Sequence, residues 1–117
     1  MANRSKQKGT AWETAIVGAL RAAGIESHRQ PPSGAKDTGD IWIPSARVVI
    51  EAKNTRAIKL AEFADEAETE ARNSDAALGV CWIHRKGKAD PREGYVVLRG
   101  DDFMTIVELI RRYANRL

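Results

Sequence analysis

Apolar residues recur at spacings of three and four from Trp12 through Ile16, Ala19, Leu20 and Ala23, the mark of a helix that buries one face. Thr10 opens that run and Gly24 supplies its stop. Ahead of it, residues 1–8 carry Arg4, Lys6 and Lys8, no acid and almost no apolar content, and are expected to form a mobile basic arm. Ile25 to Arg29 reads as a short extended piece, and residues 30–39, with Pro31, Pro32, Ser33, Gly34 and Gly39, read as a loop. Two β-rich runs follow, Asp40–Ile43 and Arg47–Ala52, parted only by Pro44, Ser45 and Ala46, which predicts an antiparallel hairpin. Leu60, Phe63, Ala64, Ala67 and Ala71 mark one face of a second helix, and Glu62, Asp65, Glu66, Glu68 and Glu70 are read as its solvated face. Ala77–His84 is a continuous apolar run suited to a central strand, Gly87–Gly94 a polar turn and Tyr95–Leu98 a last strand. Phe103, Ile106, Val107, Ile110 and Tyr113 define a final amphipathic helix, which either completes the core or offers its face to a partner.

The resulting order is αββαββα. A helix between the second and third strands returns the chain for a parallel pairing, so the expected fold is α/β, a mixed four-stranded sheet flanked by helices. A chain of 117 residues with 43% hydrophobic content suits one domain, residues 9–117 behind the arm at 1–8, and leaves no room for a second. Net charge is only +3, a balance that permits a polyanionic partner without demanding one. Cys81 is the single cysteine and lies between Val80 and Trp82, which excludes an internal disulfide and suggests a buried side chain in a reducing compartment. No apolar stretch approaches the roughly 20 residues that span a bilayer, and none at the start resembles a leader. A soluble, cytoplasmic protein without a membrane partner is expected.

The chemistry concentrates on the hairpin. Glu51 and Lys53 lie two apart on a predicted strand and so share a face, while Ala52 points the other way into the core. Asp40 begins the neighbouring strand, and antiparallel pairing brings its carboxylate toward Glu51. Converging carboxylates repel unless a cation or a proton neutralises them, and Mg²⁺ or Mn²⁺ takes oxygen ligands of this kind. Asp40, Glu51 and the Ala52 carbonyl are the expected metal ligands, with Asp37 as the alternative to Asp40. Lys53 is placed to orient a water or to stabilise charge developing on a phosphoryl group.

Asp40, ten intervening residues and then Glu51-Ala52-Lys53 resemble the signature of the PD-(D/E)XK nucleases. Gly9-Thr-Ala-Trp-Glu13 is similar to the first-helix motif whose glutamate joins the site in that superfamily. Together with Lys8-Gly9, Gly24-Ile25, Arg29, Pro32-Ser33-Gly34 and Asp40-Ile41, the pattern looks most like the archaeal-type Holliday junction resolvases, over about the first 55 residues. The resemblance implies a restriction-endonuclease-like core, catalytic Glu13, Asp40, Glu51 and Lys53, a Mg²⁺ cofactor for which Mn²⁺ substitutes, a homodimer, and branched DNA as substrate; a flap, single-strand or end-directed nuclease with the same site, or a non-catalytic junction-binding module, is the alternative. It also implies phosphate contacts from Arg29, Ser33 and Gly34, beside the solvent-facing Lys6, Lys8, Lys36 and Arg56. A phage or mobile-element source, with the host cytoplasm as the setting, would suit so small a nuclease. The motif's proline before the aspartate is Gly39 here.

Structural readings compete at several positions. Thr10-Ala-Trp-Glu13 is also a capping box, in which Glu13 reaches back to the start of the helix. Glu51 and Lys53 also fit the solvent face of an edge strand. Trp12, Trp42 and Trp82 sit in apolar patterns and are read as core rather than as stacking platforms, and His28 and His84 lack partners at metal-ligand spacing.

Overall fold

A computed structural model describes residues 4–31 and 36–116. Three helices and a five-stranded sheet follow in the order αβββαββα: α1 (Arg4–Ala22), β1 (His28–Arg29), β2 (Ile41–Ile43), β3 (Val48–Lys53), α2 (Leu60–Asn73), β4 (Leu78–Ile83), β5 (Tyr95–Val97) and α3 (Gly100–Ala114). In the sheet the strands lie in chain order. The expected hairpin forms, with Ile41 opposite Ile50 and Ile43 opposite Val48. β3 and β4 run parallel, Val48 beside Leu78 through Lys53 beside Ile83, as the α2 crossover requires. β5 closes the other edge antiparallel to β4.

Alternation along β3 and β4 divides the core between two helices. Trp12, Ile16, Val17 and Leu20 of α1 pack on Ile41, Ile43, Ile50 and Val80. Phe63 of α2 packs with Cys81 and Ile83 on the opposite face. Cys81 is fully buried, and that burial pushes its thiol up to about 12, so it behaves as an inert apolar residue, as its flanks suggest. Trp12 is buried too, its indole donating to the Trp82 carbonyl at 3.0 Å. α2 comes down on β4 over Gly79, where an added Cβ would meet the Ala67 carbonyl oxygen at 2.2 Å and the Ala71 Cβ at 2.9 Å. Gly79→Ala is therefore expected to lower stability by about 1–3 kcal/mol through overpacking, measurable as a lower urea midpoint at unchanged slope.

Four of these readings are revised or decided. The sheet has five strands rather than four, because His28 and Arg29 pair with Trp42 and Ile41. α1 begins at Arg4, so Lys6 and Lys8 of the expected basic arm ride on helical backbone. With the helix starting there, Glu13 lies well inside it, and the capping-box reading of Thr10 and Glu13 does not hold. The last helix does not complete the core: α3 buries none of its residues, and Phe103, Ile110 and Tyr113 are 56%, 60% and 66% exposed. Among the described residues, no helix is long and apolar enough to cross a membrane.

Candidate active site

β3 is longer than its partner β2. The pairing ends at Ile50–Ile41, which leaves residues 51–53 running on beside β4 alone. Asp40 fills the gap: its amide donates to the Ile50 carbonyl at 3.0 Å, and its Oδ2 accepts from the Ala52 amide at 2.9 Å, so a side chain continues the ladder where the strand stops. Gly39 precedes it at φ +88°. Proline is locked near −65° and could not occupy that conformation.

Glu51 and Lys53 face α2, and Glu51 is 9% exposed, so they are not the solvent face of an edge strand. Lys53 Nζ lies 3.5 Å from Glu51 Oε1 and 3.0 Å from Glu66 Oε2, and sits over the Phe63 ring. Burial works against its charge, but Glu66 and Glu51 outweigh that and hold the ammonium above its ordinary range. These two carboxylates favour the charged form of Lys53. Burial, then the charge of Glu51, pushes Asp40 from 3.8 up to about 7, against the pull of the Ala52 amide.

The residue that sequence reasoning missed is Glu70. Read as part of a solvated face, it is 0% exposed, its carboxyl meets no amide or hydroxyl donor among the described residues, and the acids Glu51 and Asp37 lie within hydrogen-bond reach of it. A signal was present: Glu70 falls seven residues after Phe63 and three after Ala67, on the stripe that α2 turns to the sheet. Burial and the adjacent Glu51 drive its proton affinity strongly upward, while burial raises Glu51 as well. A cation or a proton is needed between them. Asp37, Glu51 and Glu70 each offer an oxygen, and all three lie within 4.8 Å of one another. This acidic cluster has the donor chemistry of a hard divalent cation. Asp37, the alternative raised for Asp40, belongs to it, whereas Asp40 approaches Glu51 from the β2 side.

Comparison with protein-family models, with curated proteins and with solved structures finds no match to this chain. The remaining expected residues are therefore placed on geometry alone. Glu13 of α1 is near enough for its charge to raise Asp40, and its Oε1 accepts from Arg29 Nε at 3.1 Å. Arg29 is thereby engaged within the protein. Lys8 and Arg56 line a cleft of about 780 Å³ together with Asn54, Thr55, His84 and Lys86. It opens at the carboxyl ends of the parallel β3 and β4, where His84 donates its amide to the Lys53 carbonyl at 2.8 Å. Lys6 is exposed on the first turns of α1 and Lys36 is exposed beside the loop. Ser33 and Gly34 lie outside the described residues.

Proposed function

We propose that this protein is a divalent-metal-dependent nuclease of the PD-(D/E)XK type that cuts branched DNA, most like a Holliday junction resolvase. One observation carries the reading. At the carboxyl end of β3, Glu51 and a charged Lys53 share a face, and Asp40 is fastened beside them to the amide of Ala52. Four further features support it: the approach of Glu13, the buried carboxylate of Glu70, the acidic cluster suited to a hard cation, and the cleft carrying Lys8, Arg56 and Lys86.

Asp40, Glu51 and the Ala52 carbonyl would hold Mg²⁺ or Mn²⁺. Bound there, the ion would polarise a phosphoryl oxygen and lower the pKa of its water. Lys53, kept charged by Glu66, offsets the negative charge that develops on phosphorus. Glu13 holds Arg29 and adds negative charge to the ligand set. The basic cleft positions the phosphodiester backbone through charge, without reading bases.

The test is incubation of labelled four-way junction, flap, single-stranded and linear duplex DNA with Mg²⁺, Mn²⁺ or EDTA. Paired symmetric cuts confined to the junction and abolished by EDTA are expected. Metal-dependent cutting of the other substrates would overturn the junction assignment alone. Silence on every DNA and RNA substrate would overturn the enzyme.

The same proposal includes a homodimer, with the open face of α3 as its seam. Phe103, Val107 and Ile110 recur at spacings of four and three, and the first turn carries Asp101 and Asp102 while the last carries Arg111 and Arg112. Two copies crossing antiparallel would set acids against arginines at both ends, a self-complementary two-fold arrangement. Ile110→Asp is expected to convert a dimer to a monomer in analytical ultracentrifugation, with the circular dichroism of the monomer unchanged. A wild type that sediments as a monomer at tens of micromolar would refute the seam.

A further inference from the structure

We infer that the cleft at the carboxyl ends of β3 and β4 binds unpaired DNA, taking one or two nucleotides of a strand that has left its helix. The inference deepens the nuclease reading by naming the form of DNA that reaches the site, and rests on that reading only for what happens to the strand once bound. Its size comes first. A space of about 780 Å³ falls within the roughly 300–1,000 Å³ that encloses a drug-sized molecule, which is the scale of a nucleotide or two and far below that of a duplex. The chemistry agrees. Lys8, Arg56 and Lys86 give the cleft three cations, and the residues that line it include no acid, so a phosphate chain can enter without meeting carboxylates on its walls. Cations alone would serve a duplex backbone just as well. The same walls also hold Ile58, 52% exposed, and the ring of His84. A paired base keeps its faces within the stack and presents only edges, whereas an unpaired base bares a face that apolar and aromatic side chains cover.

Three segments hold these groups in place. Residues 54–58 follow directly on Lys53 and are braced by the Thr55 hydroxyl, which donates to the Ala57 carbonyl at 2.7 Å. Lys86 sits on a turn closed by the Lys88 amide, which donates to the Arg85 carbonyl at 3.0 Å, with Gly87 at φ +81°. His84 is fixed twice: its amide is bonded to the Lys53 carbonyl, and its ring meets Trp12 edge to face with centroids 4.8 Å apart. Trp12 is itself buried, so the imidazole rests on the core. The cleft is therefore shaped before any strand arrives, which spares the cost of ordering it on binding. It also starts one residue beyond Lys53, and so sets a bound strand next to the site proposed to cut it. Unstacking a base is costly within a continuous duplex and least so where a strand is already free. A cleft of this kind favours DNA with a branch or a frayed strand over linear duplex.

Fluorescence anisotropy of the full-length chain in EDTA compares three labelled probes: a short thymidine strand, a strand of the same length and charge that is abasic throughout, and a duplex of that length. The thymidine strand is expected to bind roughly tenfold or more tightly than either of the others, because only it offers bare base faces. Ile58→Ser, at an exposed loop position, should weaken the thymidine strand by about fivefold or more and leave the abasic strand unchanged. Arg56→Ala should weaken both single strands and lower the slope of their log affinity against log salt by about 0.7, the loss of one phosphate contact. Circular dichroism confirms the fold of each variant. Equal affinity for the thymidine and abasic strands, unmoved by Ile58→Ser, would overturn the inference and reduce the cleft to a surface for phosphates. Tighter binding of the duplex than of the thymidine strand would overturn it as well. The same proteins are assayed for cleavage in Mg²⁺: a wild type that cuts branched DNA but binds thymidine and abasic strands alike sinks this inference and leaves the nuclease standing. One that holds the thymidine strand through Ile58 and cuts no nucleic acid supports the cleft and sinks the nuclease.

Discussion

Glu51→Gln is expected to leave the chain folded while lowering single-turnover DNA cleavage in Mg²⁺ by roughly 10³-fold or more, the scale of removing a principal electrostatic group from a preorganised site. Glutamine keeps the shape of a side chain that is almost wholly enclosed, so no cavity opens. What disappears is the anion that faces Lys53 on its own strand and Glu70 on α2. Lys53 keeps its ion pair with Glu66 at 3.0 Å, so the ammonium stays in place and the loss falls on metal binding. Affinity for DNA, read by gel shift in EDTA, should hold or tighten, because one negative charge has left the neighbourhood of a polyanion. Turnover at the wild-type rate would mean that the chemistry lies elsewhere on the protein.

Without divalent metal, stability should fall as pH rises from about 4 to about 8. Asp40 releases its proton near 3.8 when the chain is unfolded but holds it to about 7 when folded, through burial and the charge of Glu51. Between those values the folded state binds more protons than the unfolded one, so the linkage favours the folded chain at the acid end and weakens it toward neutrality. A tenfold change in proton affinity is worth about 1.4 kcal/mol; Asp40 alone would contribute about 4 kcal/mol, cut to about 2 by its remaining contact with water. Glu51 and Glu70 are raised in the same direction and add to the slope. Mn²⁺ should flatten the profile, since it binds the ionised carboxylates and replaces the proton. Urea midpoints across this range, in EDTA and in Mn²⁺, make the comparison. A midpoint that climbs steadily from pH 4 to 8 in EDTA would contradict it.

The hairpin, the α2 crossover and the burial of Trp12 were legible because each rests on periodicity or turn chemistry that a short window contains. The start of α1 was not: Arg4 to Lys8 present no apolar stripe, and a polar turn extending a helix leaves no trace in hydrophobic spacing. β1 is two residues long, too short for alternation to register, and exists because β2 offers it an edge. Glu51 and Lys53 were found from the period of a strand. Glu70 was overlooked because its charge was weighed above its phase: among five acids on one helix, only position on the wheel separates a solvated carboxylate from a buried one.

Asp40 stands in for a strand, and its bond to the Ala52 amide at 2.9 Å would put one backbone proton in direct contact with the ligand shell of the proposed ion. Exchange of that hydrogen with solvent deuterium should therefore track the state of the Asp40 carboxylate. When an ion draws electron density from the carboxylate, the amide loses part of its acceptor, and its exchange rate and nitrogen chemical shift move while those of Val49, deep in the ladder, do not. If the proposed ion binds at Asp40, the sheet would carry its own gauge of metal occupancy, with no label beyond isotope and no substrate.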